Sequence, residues 1–120
     1  MKNLYVFGNE FLEDDKLARN VSFHLKDSFK IIHCTSPDEL MEAEDSEIII
    51  LDVVKGIEKT IIINDPAQIK TRSLISLHDF DLGFFLNLMK EMGIKKKVKI
   101  IGIPAEGNTE LIASEVKLCI

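Results

Sequence analysis

Four consecutive aliphatic residues, Ile48-Ile49-Ile50-Leu51, run directly into an aspartate, Asp52. A strand with one face in water alternates apolar and polar residues. A strand that is apolar on both sides has both faces covered, as in the middle of a parallel sheet. The run is far shorter than the ~20 residues needed to cross a bilayer. The spacing therefore predicts a central strand over 47–53, with Asp52 at its end.

The flanking segments fit a layered arrangement around that strand. Leu4-Tyr5-Val6-Phe7, closed by Gly8-Asn9, predicts a first buried strand. A helix is predicted over 16–28, because Leu17, Val21 and Leu25 fall four apart with Ala18 beside them. Asp14 or Asp15 is placed to cap it and to face the positive end of its dipole. A second strand is predicted over 29–33. Ser36-Pro37-Asp38-Glu39 then opens a short helix ending near Ala43.

The β-branched run 60–64 predicts a further strand. Its link from Asp52 is too short for a crossover helix, so it is expected to run antiparallel to the third strand. The stretch 67–77 reads as irregular. Leu82, Phe85, Leu86 and Met89 mark one face of a helix over 81–92, which Gly93 stops. A last buried strand is predicted over 98–103, and a final helix over 109–118 carries Leu111, Ile112 and Val116. Alternating strands and helices predict one α/β domain over 1–120, a three-layer α/β/α sandwich. Its central sheet is mostly parallel, with about five strands, one of them antiparallel. No repeat, linker or domain boundary interrupts the 120 residues.

Composition narrows the function classes. Hydrophobic residues make up 46% and the formal net charge is −5, which argues against disorder and against a general nucleic-acid binder. No segment reads as a membrane span or a signal peptide, so a cytoplasmic location is expected, with no membrane insertion. Cys34 and Cys119 make neither a disulfide framework nor a Cys-rich zinc site. His24 reads as exposed on a helix and His33 as packed or hydrogen-bonded at a strand end. Lys95-Lys96-Lys97 reads as a solvated turn.

Ligands of open α/β sheets bind beyond the carboxyl ends of the strands. Three kinds of side chain fall there by sequence: the Asp14-Asp15 pair after the first strand, Asp52, and His78 in Ser76-Leu77-His78-Asp79. Two carboxylates and an imidazole with open positions suit a borderline divalent metal such as nickel or zinc. An acid at the end of a buried strand also loses solvation, and so calls for a reason.

The order of these segments resembles the nickel–iron hydrogenase maturation endopeptidases. The resemblance rests on Gly8-Asn9, four residues, then Asp14-Asp15; on Ile49-Ile50-Leu51-Asp52; on Ser76-Leu77-His78 before a helix; and on the stretch Ile100 to Glu106, IIGIPAE. It runs from Met1 to about Ile112. It implies a protease that removes the C-terminal extension of a hydrogenase large-subunit precursor after nickel insertion. It also implies that Asp15, Asp52 and His78 bind nickel, with zinc or another divalent metal able to substitute. The metal's part, recognition or catalysis, stays open at this level, as does Asp14 against Asp15. The chain departs from the family pattern at Lys16, at His33-Cys34-Thr35-Ser36 and at Asp79.

Two other functions compete. One is a catalytically inactive relative acting as an adaptor. The other is a phosphoacceptor receiver domain built on Asp14, Asp15 and Asp52, with Ser76 as its hydroxyl residue. Against the receiver stand the six residues between the first strand and the acidic pair and Ile103 where a receiver carries lysine. His78 also has no role in it, since a receiver's Mg²⁺ prefers oxygen ligands.

Overall fold

The aliphatic run forms the middle of a sheet. In a computed structural model the elements are, in order, β1 (Lys2–Phe7), α1 (Glu13–Phe23), β2 (Phe29–Cys34), a 3-10 helix (Pro37–Glu42), β3 (Glu47–Lys55), β4 (Ile61–Ile63), β5 (Ser76–Leu77), β6 (Lys97–Pro104) and α2 (Thr109–Leu118). The structure describes residues 1–7, 13–35, 37–63, 76–77, 89, 91–93 and 96–119, with the backbone alone at 13–15, 37, 55 and 76–77.

The strand order is β2-β1-β3-β6-β4, with β5 against β3. β1 pairs in parallel with β2 along all six residues and with β3 at Tyr5↔Ile50 and Val6↔Leu51. β3 and β6 form the longest ladder, parallel from Glu47↔Lys97 to Val54↔Pro104. β4 is antiparallel to β6 and β5 is antiparallel to β3. The chain is thus an α/β fold on a mostly parallel mixed sheet, as the sequence predicts.

Both faces of the sheet are covered. Leu4, Val6, Ile49, Leu51, Val53, Ile101 and Ile103 meet Ala18, Val21 and Leu25 from the α1 segment and Ile112, Ala113 and Val116 from α2. On the other face Tyr5, Phe7, Ile48, Ile50, Ile63 and Ile100 meet Leu40 of the 3-10 helix and Met89. Alternate residues of β3 therefore feed two cores. Its six apolar residues from Ile48 to Val54 are buried. At about 1.5–3 kcal/mol for each large side chain, they contribute on the order of 10 kcal/mol before conformational entropy is counted.

Several boundaries differ from the sequence reading, each for a local reason. α1 begins at Glu13, so Asp14 and Asp15 lie in its first turn rather than at its cap. It ends at Phe23, where His24 N–H to Val21 O and Leu25 N–H to Ser22 O tighten the chain into three-residue hydrogen-bonded turns. Leu25 still packs in the core, and His24 lies in this turn instead of on the helix. Near the predicted 36–43 helix, Glu39 accepts the Thr35 N–H at 2.7 Å, and the turns that follow are 3-10. β4 runs opposite to β3 as predicted, but its hydrogen-bonded neighbour is β6.

Residues 76–77, read as irregular, form β5, a second antiparallel member of the sheet. In α2 the buried residues are Ile112, Ala113 and Val116, whereas Leu111 is exposed. Most of the predicted 81–92 helix lies outside the described residues. Met89, Glu91 and Met92 have helical backbone, and Gly93 follows at φ 69°, a left-handed stop that suits glycine. Met92 is exposed. No helix among the described residues is long and apolar enough to cross a membrane.

Candidate functional site

Asp52 is fully buried, and with Ser22 it is one of two buried polar side chains among the described residues. Ser22 has a local explanation, since its hydroxyl donates to Arg19 O at 2.7 Å. Asp52 is a different case, because taking a carboxylate out of water costs several kcal/mol unless charge or hydrogen bonds offset it.

The backbone around Asp52 shows how it is held. β3 continues to Lys55, so Asp52 lies three residues inside the strand instead of at its end. On the β1 side, however, the ladder stops at Leu51, and β5 begins only at Val54. In that gap Asp52 Oδ1 accepts the Val53 N–H at 2.9 Å. On the β6 side, the Cα partner of Asp52 is Gly102.

Strand alternation puts Asp52 on the face of Ile48 and Ile50, while α1 packs on the opposite face. A site shared by the first turn of α1 and by Asp52 therefore lies over the carboxyl edge of the sheet. The backbone at Asp14 and Asp15 opens α1, and their carboxylates are not among the described side chains. His78 lies outside the described residues, as do Asp79 and Asp81. Its chain neighbour Leu77 is paired with Val54, two residues beyond Asp52. Among the described side chains, no three of His, Cys, Asp or Glu come together as a metal-binding group.

Two features of this neighbourhood escape sequence reasoning. One is the β5–β3 pairing, which a two-residue strand is too short to announce. The other is the contact across Gly102. A Cβ on Gly102 would lie 2.5 Å from Val54 Cγ2 and 3.2 Å from Ile61 Cγ1, so the space above that glycine is already filled by Val54.

A second polar cluster lies at the opposite, amino edge. Asp45 accepts hydrogen bonds from Tyr5 OH at 3.1 Å and from Asn3 Nδ2 at 3.2 Å. Burial, reinforced by this carboxylate, raises the Tyr5 pKa above that of an ordinary phenol. Lys96 donates to Ala43 O, just past the 3-10 helix, so one lysine of the 95–97 run has a structural partner. His33 is exposed at the end of β2, not packed. Cys34 and Cys119 are free thiols. Burial, with Glu39 beside it, pushes the Cys34 thiol up to about 11, so it is no nucleophile at neutral pH.

Comparison with protein-family models, with curated proteins and with solved structures found no match to this chain.

Proposed function

We propose that this chain is a metal-dependent endopeptidase of the nickel–iron hydrogenase maturation type. Its substrate is the large-subunit precursor, and nickel is recognised through Asp15, Asp52 and His78. One observation carries the reading: a fully buried carboxylate, Asp52, lies beside the short strand that leads directly into His78. The donor set fits a nickel or zinc ion. Two carboxylates bring negative charge, an imidazole brings a borderline nitrogen donor, and a cation offsets the cost of burying Asp52.

In this reading nickel arrives with the substrate. When bound, it supplies Lewis-acid chemistry at the scissile carbonyl or at the attacking water. The chain's own residues bind and orient. Asp52 is a fixed anchor, held by the Val53 N–H. Asp15 presents charge from the first turn of a helix, and His78 adds a neutral donor. A cytoplasmic location belongs to the same proposal.

The sheet order weighs against the receiver alternative. The flavodoxin-like order 2-1-3-4-5 sets the fourth strand beside the third and keeps all strands parallel. Here β6 lies beside β3, and β4 is an antiparallel edge. The adaptor alternative separates from the protease by cleavage alone. The test is incubation with a nickel-loaded large-subunit precursor that keeps its C-terminal extension, read by mass spectrometry. The protease reading expects loss of the extension with the wild type, and none with His78→Ala or with nickel-free precursor. Nickel-dependent association with an intact precursor would instead make the chain an adaptor.

A further inference from the structure

We propose that the outward face of α2 pairs, antiparallel, with the same helix of a second copy of this chain, setting Glu110 of each copy beside the partner's Lys117. The inward face of α2 buries Ile112, Ala113 and Val116. On the opposite side Leu111 and Leu118 are 60% and 88% exposed. They are seven residues apart, close to two helical turns, and so form one apolar stripe. Exposed Ser114 lies between them. Its hydroxyl donates to Glu110 O at 3.0 Å, so an apolar surface laid over it leaves no donor unpaired.

Charge selects the occupant. Glu110 in the first turn and Lys117 in the last are both exposed, and their spacing of seven puts them on the same flank of the stripe. On the other flank Glu115 is tied down, accepting the Thr60 N–H at 3.2 Å. A parallel copy would set like charges at the same height. An antiparallel copy, related by a two-fold axis near Ser114, brings Leu111 to the partner's Leu118 and Glu110 to the partner's Lys117, each contact made twice. The two helix dipoles then also oppose. Lys117 already meets Asp27 at 3.3 Å, but that pair is exposed and contributes little, and an ammonium with three donors serves both carboxylates. Ten residues make a helix about 15 Å long, so the contact falls at the small end of specific interfaces and the dimer is weak and concentration-dependent. α2 packs on the sheet face opposite Asp52, so the pairing stands apart from the metal-site reading.

The test is sedimentation equilibrium over a range of concentrations, on wild type, Leu118→Glu, Glu110→Lys, Lys117→Glu and an equimolar mixture of the last two. All three positions are exposed, so the fold tolerates each change. The proposal expects a wild-type dimer whose Kd rises about tenfold or more in Leu118→Glu and severalfold in each charge variant alone. The mixture should regain wild-type association, because Glu110→Lys in one copy then meets Lys117→Glu in the other while the unchanged lysine and glutamate still pair. Both charge variants remain net acidic, so overall charge does not drive the mixing. A wild type that stays monomeric up to about 1 mM overturns the proposal. So does a dimer indifferent to Leu118→Glu, or a mixture that associates no better than its two components.

Discussion

Asp52 accepts a hydrogen bond from the N–H of its own neighbour Val53, in the gap between the end of the β1 ladder and the start of β5. The carboxylate thus has a structural task besides any role towards a ligand, and substitutions separate the two. Asparagine keeps an acceptor at that point; alanine leaves a buried N–H without one. Asp52→Asn should stay within about 1 kcal/mol of wild type in urea unfolding, whereas Asp52→Ala should lose about 1–3 kcal/mol. Only the loss of charge is common to both, so nickel binding should fail in each.

Tyr5 is the one tyrosine of the chain, which has no tryptophan, so phenolate absorbance at 295 nm reports its titration alone. Burial, then the hydrogen bond and charge of Asp45, raise its pKa above the ordinary 10.0. A raised phenol pKa means that the folded state holds the proton longer. The associated stability is complete below pH 10 and is lost as pH rises through the folded value. Asp45→Asn should lower the titration midpoint. Tyr5→Phe should cost about 0.5–1.5 kcal/mol at pH 7, as a single lost hydrogen bond does.

Cys34 offers a second pH-dependent test. Its thiol is raised from 9.0 to about 11 by burial and by Glu39. Between those values the unfolded chain releases a proton that the folded chain keeps, so stability falls as pH rises from about 9 to about 11. Wild type should lose up to about 3 kcal/mol across that window relative to Cys34→Ala, at about 1.4 kcal/mol per pH unit. At pH 8 a thiol reagent should label Cys119, which is partly exposed, well before Cys34.

The cap of α2 is an independent check on the fold. Asn108 Oδ1 accepts the Leu111 N–H at 3.0 Å. Asn108→Ala should cost about 1 kcal/mol in chemical denaturation, and Asn108→Ser much less.

The architecture was legible where burial is two-sided and local. Ile48 to Leu51 announces a central strand because no other placement covers both faces, and Gly93 announces a helix stop because its φ of 69° suits glycine. Helix ends were less legible. The close of α1 at Phe23 depends on the turn that lets Leu25 reach the core, and no residue type there signals it. Asp52 stood out in sequence as an acid after four aliphatics. That β3 runs past it was hidden, because the strand's length is set by pairing with β6 and not by its own residues. The contacts of β5 and Gly102 are long-range, and no local pattern encodes them.

Calorimetric titration of Ni²⁺, Zn²⁺ and Mg²⁺ into wild type, Asp52→Asn and His78→Ala tests the central claim most directly. The account predicts saturable Ni²⁺ or Zn²⁺ binding that is lost in both variants. It is contradicted by nickel binding indifferent to both substitutions, or by Mg²⁺ binding that requires Asp52 and ignores His78.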